Sequence, residues 1–359
     1  MTGYVCIAGT GLAVMFFAAL IITAYYIYRG VFVYPESERD EPDYIPDSAL
    51  YHGMESDLAG CMNNMKNDSS KELSVMSYDG LRLCGRLYEG DADAPVVIFF
   101  HGYHGTYMRD GYGMFRFCRE HGYRILLVDE RAHGKSDGDT ITFGIKEMHD
   151  CISWIKLVDN MYTENAGIII AGVSMGASAV LMAAGYKEGT AIPKSVIAVI
   201  ADCAFTSVRD IIKSMCQKLH YPVHISYALA WLGALVFGHM NISSTAVASA
   251  EAAVSGIRIP VLFIHGSNDS VVPYSMCDRL YNACTAYKKQ LVISGADHAV
   301  NALTAYNAYA DAVGEFIKKC GKGYYNEKSE DEKCCHNCSD SYCSCHGVIW
   351  SVYGLVLSR

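Results

Sequence analysis

The pentapeptide Gly172-Val173-Ser174-Met175-Gly176 has the form G-x-S-x-G, which places one hydroxyl between two glycines. An apolar run at 167–171 precedes it and an alanine-rich stretch of helical character follows. A serine on a sharp strand-to-helix turn needs small neighbours, because the backbone is strained and larger side chains clash. The helix behind it then offers amide N–H groups and its positive dipole end to the serine oxygen. Ordinary Gly/Ser turns share these letters, so the surrounding residues must carry the argument.

A serine hydroxyl is a weak nucleophile and needs a histidine base, itself oriented by an acid. In chain order Asp269 follows, in His265-Gly266-Ser267-Asn268-Asp269, and then His298, in Gly295-Ala296-Asp297-His298. Each comes just after a short apolar run (260–264 and 289–293), at the end of a strand, where open α/β sheets build their sites. The order Ser174, Asp269, His298 is the one expected for this topology, and the chemistry it implies is acyl transfer. Two backbone N–H donors are expected for the developing oxyanion, from Tyr103 in His101-Gly102-Tyr103-His104-Gly105 and from Met175. Asp202, at the end of another apolar run, is an alternative acid or else a helix cap. Among the other histidines, His104 and His133 are expected to shape loops around the site. His101 and His265 are expected to fill structural roles at strand ends, and His149 to lie on a solvent-facing helix. Serine rather than aspartate at the elbow argues against halide and epoxide hydrolysis.

The elements that must position these groups alternate regularly. Residues 72–78 and 81–88 flank Asp79-Gly80, a hairpin turn signal. Short apolar runs at 94–100, 123–129, 167–173, 194–201, 260–264 and 289–293 read as strands buried on both faces. Amphipathic stretches at 142–158, 175–186, 276–286 and 299–319 separate them. This rhythm predicts an α/β fold with a mostly parallel sheet, helices on both faces and the hairpin at one edge. Between 201 and 260 no strand is evident, and 227–237 is markedly apolar. It is too short to span a membrane, so it reads as part of a helical cap whose apolar side lines a pocket.

The motifs at 101–105, 129–136, 172–176, 265–269 and 297–298 resemble those of the α/β-hydrolase family, over about residues 70–320. The resemblance is greatest to bacterial single-pass membrane hydrolases of the monoacylglycerol-lipase, lysophospholipase-like and serine-aminopeptidase-like group. It implies an eight-stranded sheet, a cap after strand six and serine hydrolase activity without metal or cofactor. The family's usual R-G-H-G-x-S segment here has Ala132 in place of its first glycine, outside the catalytic residues.

Residues 3–28 carry no charge and are long enough to cross a bilayer. Tyr25, Tyr26 and Tyr28 follow as an interfacial belt, then Arg29. No basic residue precedes the apolar run, which favours an uncleaved single-pass anchor in the cell membrane over a cleaved signal. Basic residues at 29 and 39 only weakly favour a cytoplasmic body, so the side stays open. Residues 31–47 are acidic and contain three prolines, the pattern of a stiff linker. The expected organisation is an anchor at 1–30, linker and lead-in at 31–70, a hydrolase domain at 71–320 with its cap at about 203–258, and a tail at 321–359.

With 38 acidic and 29 basic residues the formal charge is −9, which disfavours nucleic acid as a partner. At 51% hydrophobic and 19% charged residues the chain is not disordered. Nine of the 15 cysteines are scattered singly and read as small core residues. The other six crowd into 320–345, where only Cys335-x-x-Cys338 has a familiar metal-ligand spacing; a flexible or redox-sensitive tail is the stronger reading. The anchor and apolar cap point to a lipid-like or acyl ester as substrate. Peptide or amide cleavage, or a non-catalytic anchored binding protein of the same fold, are the alternatives.

Overall fold

A computed structural model of the chain describes residues 2–162, 167–186 and 192–336, with side-chain surroundings from residue 11 to 321. After the N-terminal helix α1 (Thr2–Phe32) and α2 (Glu55–Asn67) come β1 (Lys71–Met76), β2 (Arg82–Tyr88) and β3 (Val96–Phe100). Then follow α3 (Tyr107–Glu120), β4 (Arg124–Val128), α4 (Glu147–Met161), β5 (Ile168–Val173), α5 (Met175–Ala184) and β6 (Val196–Asp202). Helices α6 (Val208–Lys218), α7 (Val223–Val236) and α8 (Ala250–Val254) separate β6 from β7 (Val261–Gly266). The chain closes with α9 (Tyr274–Ala283), β8 (Lys288–Ile293), α10 (Asn301–Thr304) and α11 (Tyr306–His336).

The sheet has eight strands in the order β1-β2-β4-β3-β5-β6-β7-β8. β2 pairs antiparallel with both β1 and β4, and the remaining pairs are parallel. The mostly parallel sheet and its edge hairpin therefore match the expectation. Alternation along the central strands splits the core in two: Val96, Ile98 and Phe100 face a layer with α4, α5, α8 and α9, while Val97 and Phe99 face one with α2, α3 and α11. Buried on both faces, these strands have no polar side to display, which is why they read as unbroken apolar runs.

Two expectations shift. The helix expected from 142 begins at Glu147, because the Glu147 carboxylate turns back to accept from Thr142 N at 2.8 Å and Gly144 N at 2.7 Å, closing a tight turn first. The single helix expected over 299–319 is broken at Ala305 into α10 and α11.

The acidic segment after α1 is laid against the body rather than held away from it. Val33 bridges to Thr140, and Tyr34 N donates to the Asp139 carbonyl at 2.7 Å. Arg39 donates to the carbonyls of Gly134, Ser136 and Gly138, while Asp40 pairs with Arg109 at 3.2 Å. Of the charges in this expected linker, Arg39 and Asp40 are thus partners for one loop and one helix of the hydrolase body, while Glu36, Glu38 and Glu41 stay exposed. The singly placed cysteines that are described are buried apart from the half-buried Cys61, and all are unbridged. The Cys335–Cys338 pair lies outside the described side chains.

Candidate active site

Strand β5 delivers Ser174 to a turn that no ordinary residue adopts comfortably, with φ 54° and ψ −113°. Gly172 and Gly176 make that turn sterically feasible. A Cβ on Gly172 would lie 2.5 Å from the Gly176 carbonyl carbon, and one on Gly176 2.3 Å from the Phe100 oxygen. Ser174 N donates to the Asp202 carbonyl at 2.8 Å and Gly176 N to that of His101 at 3.1 Å, so both neighbouring strands hold the elbow. The space that the elbow needs is the reason for the G-x-S-x-G spacing.

The structure brings the three predicted side chains together although they come from three loops. Ser174 Oγ lies 2.9 Å from His298 Nε2, and His298 Nδ1 lies 2.8 Å from Asp269 Oδ2. Asp269 Oδ1 accepts from the N–H groups of Val271 and Val272 at 2.9 and 2.7 Å, which fixes the carboxylate plane. Asp297 ties the two loops together, accepting from Ser270 N at 2.6 Å and His298 N at 2.7 Å. Burial by itself raises the Asp269 pKa, but hydrogen bonds to His265 and His298 outweigh it and hold the carboxyl well below the usual range. An ionised acid behind an imidazole whose other nitrogen meets a hydroxyl can stabilise that imidazole when it takes the proton.

His265 plays a larger part than a filler at a strand end. Its Nε2 meets the Val272 carbonyl at 2.9 Å and lies 3.3 Å from Asp269 Oδ2, so one carboxylate faces two imidazoles. The i,i+4 spacing within His265–Asp269 was the available signal. The Cys203 thiol also comes near: its sulfur, an Asp269 oxygen and a His298 nitrogen lie within 4.8 Å of one another. Both nitrogens of His298 are already committed to Ser174 and Asp269, so this cluster offers no free imidazole lone pair to a metal.

The loop after β3 carries Tyr103. Its neighbours' amides are occupied: Gly102 N donates to Asp110 Oδ2 at 2.8 Å and His104 N to His133 Nε2 at 3.2 Å. Gly102 also lies against Ser174, since a Cβ there would be 3.3 Å from the serine Cβ. Met175 opens α5, so its N–H has no acceptor within the helix. His133 supports His104 as expected. Because His133 Nε2 accepts an amide N–H, its proton sits on Nδ1, which donates to the Arg131 carbonyl at 2.9 Å. Burial keeps this histidine's pKa well below its ordinary value. His101 works alike, with Nε2 accepting from Glu130 N at 3.0 Å and Nδ1 donating to Gly102 O at 2.9 Å. Ala132, where the resembling family has glycine, sits at φ 62°, the left-handed region that explains the family's preference.

His149 is half-buried rather than solvent-facing, flanked by Tyr78 at 4.6 Å and Tyr186 at 4.9 Å between ring centroids. Asp202 takes neither role considered for it. Its Oδ1 accepts from Asn301 Nδ2 at 2.6 Å, and Ser207 caps α6 instead. Burial raises the Asp202 pKa to about 6. The unfolded carboxyl titrates near 4, so between pH ~4 and ~6 the native state keeps a proton that the unfolded state has lost. Stability therefore falls as pH rises through that window, and the cost persists above it. Asp202→Asn keeps an oxygen for Asn301 and should raise the melting temperature by roughly 2–5 °C at pH 8 but not at pH 4. Thermal scans at the two pH values check this; an equal shift at both refutes a buried charge.

Ser174 and His298 are each only 9% exposed. Met175 belongs to an apolar cluster with Phe143, Phe205, Ala230 and Ala234 of α7, and Tyr28 and Phe32 of α1. A groove of about 890 Å³ beside α2 and α3 is lined by both polar and apolar groups, such as Asn64, Arg116, Phe115 and Leu303, and does not include Ser174. The buried apolar cluster, through Met175, adjoins Ser174, and that groove does not.

Comparison with known proteins agrees with this architecture. The chain is 28% identical over 203 residues to the uncharacterized protein YqkD of Bacillus subtilis, covering 55% of this chain and 62% of that one. It is 24% identical over 199 residues to lysophosphatidylserine lipase ABHD12 of Danio rerio, covering 54% and 48%. Among solved structures the Pyrococcus furiosus esterase Pf2001 superposes with a TM-score of 0.57 at 21% identity, covering 79% of this chain and 98% of that one. A family model described as BD-FAE matches residues 88–284, more than half of the sequence. The chain belongs to that family, on an α/β-hydrolase fold.

Proposed function

We propose that this protein is a membrane-anchored serine hydrolase that cleaves carboxylic esters of lipid-like or fatty-acyl substrates. The observation that carries this reading is the hydrogen-bonded series from Ser174 through His298 to Asp269, set beside an apolar cluster. Ser174 Oγ attacks the ester carbonyl as His298 Nε2 takes its proton, and Asp269 stabilises the imidazolium. The N–H groups of Tyr103 and Met175 receive the oxyanion. Collapse of this intermediate releases the alcohol, which takes its proton from His298, and leaves an acyl group on Ser174. Water then attacks the acyl-enzyme with His298 again as base, giving the acid and restoring the serine. The lipase name of the Danio rerio relative and the apolar residues around Met175 support an acyl chain as the group bound. The long apolar α1, which has the length and composition of a membrane span, supports the anchor.

A series of p-nitrophenyl esters tests the substrate class. Each methylene added between C2 and C8 should raise kcat/KM by about two- to fourfold, the effect of burying one more CH₂. Rates that stay flat with chain length, or that are higher on aminoacyl amides, overturn the lipid-like reading. Absence of fluorophosphonate labelling on folded protein overturns the enzyme itself.

A further inference from the structure

Helix α1 is partly built into the body. Ala24, Tyr28 and Phe32, spaced four apart and so on one face, are buried, whereas Leu12, Met15, Phe16 and Ile22 are exposed. The buried face meets α7. Gly233 lies so close that a Cβ on it would be 2.4 Å from the Ala24 carbonyl oxygen, the small-residue contact that lets two helix backbones approach. The Phe237 ring stands 5.1 Å from Tyr25 and 6.0 Å from Tyr28.

The outward side of α7 is unlike a water-facing helix surface. The helix has no acidic side chain and no Lys or Arg, and Ile225, Leu235 and Val236 are exposed, Ile225 at 65%. At fourteen residues it is too short to cross a bilayer. Chemistry locates it instead. Residues 11–28 carry no charge, Tyr25, Tyr26 and Tyr28 close that run and Arg29 follows, so the membrane surface falls near the turn from Ala24 to Tyr28. That turn is where α7 docks. Tyr25 and Tyr26 on α1 are exposed there, as aromatic side chains are at such a boundary.

We infer that the outward face of α7 lies in the bilayer surface beside α1, making the cap a second membrane contact and α7 the wall shared by lipid and the apolar cluster next to Ser174. The inference rests on the reading of α1 as a membrane span. Continuity with α1 selects lipid as the occupant of this face over a soluble protein. The opposite side of α7, with Ala230 and Ala234, packs into the cluster that holds Met175, so an acyl chain has a short apolar route from membrane to hydroxyl.

The test uses the full chain in nanodiscs of phosphatidylcholine and phosphatidylglycerol. A photoreactive p-benzoylphenylalanine replaces Ile225 or Val236, with Phe16 as the membrane control and the exposed Met76 on edge strand β1 as the aqueous one. Lipid adducts, read by mass spectrometry, are expected at 225 and 236 at a yield within about threefold of that at 16, with background at 76. Adducts at 16 without adducts at 225 and 236 overturn the inference, as does a cross-linked dimer through α7. Absence of adducts at 16 overturns the membrane span as well. Fluorophosphonate labelling of Ser174 in the same discs reports separately on catalysis. As a second readout, Ile225→Asp combined with Val236→Asp should lower activity on vesicle-borne substrate about tenfold and leave p-nitrophenyl acetate hydrolysis within about twofold. Equal loss on both substrates also overturns the inference.

Discussion

Ser174→Ala should lower ester hydrolysis by about 10⁴-fold or more and abolish fluorophosphonate labelling, with no loss of thermal stability. The size follows from removing the only atom that forms the covalent bond, while oxyanion donors and apolar contacts persist and give a small residual rate. Stability is the informative companion. Ser174 holds φ 54°, which costs a residue bearing a Cβ roughly 1–3 kcal/mol. Alanine keeps that strain and glycine releases it, so Ser174→Gly should be equally inactive yet melt a few degrees higher. Steady-state kinetics with scanning fluorimetry measures both. Activity above about 1% in purified Ser174→Ala would mean that another group attacks the substrate.

Gly176→Ala should be the most damaging single substitution for the fold of the site. The added methyl would lie 2.3 Å from the Phe100 oxygen, 2.5 Å from its carbonyl carbon and 2.6 Å from the His101 oxygen. All three belong to the backbone at the end of β3, which pairs with strands on both sides and has no flexible end to yield. Relieving the overlap means pulling α5 away from the sheet or unpairing β3, at a cost of about 3 kcal/mol or more. Gly295 is the control: it has φ 79° and nothing within 4 Å of a Cβ, so Gly295→Ala should cost only about 1 kcal/mol. Urea unfolding separates the two outcomes. A Gly176→Ala variant as stable as the wild type would mean that the elbow and β3 are not in contact.

The groups at Ser174, Asp269 and His298 were legible because each directly follows a strand, and a parallel sheet collects such ends along one edge. Local pattern and topology said the same thing there. The pairing of Asp202 with Asn301 was not, because Asn301 opens α10, 99 residues further along the chain, and no local spacing encodes such a contact. Nor were the contacts of Tyr34, Arg39 and Asp40. Their composition is that of an acidic, stiff linker, and only the folded positions of the 134–139 carbonyls and Arg109 hold Tyr34, Arg39 and Asp40 against the body. The apolar segment around 227–237 reads as part of a cap by composition, but its division between the cluster by Met175, the face of α1 and the exterior depends on the course of a distant helix.

That distant helix bears on the site itself. The Tyr103 hydroxyl donates to the Val31 carbonyl at 3.0 Å, and Tyr34, His104, Tyr103 and Phe143 stack in sequence with centroids 4.0, 4.1 and 4.9 Å apart. The residues at the foot of the N-terminal helix thus form the outer support of the loop that carries Tyr103. Cleavage ahead of Val31 would leave these contacts in place, whereas removal of 31–40 would strip the loop that carries Tyr103 of its outer support. The catalytic loop thus sets how far the N-terminal segment can be trimmed: the limit falls at Val31, whose carbonyl holds the Tyr103 hydroxyl.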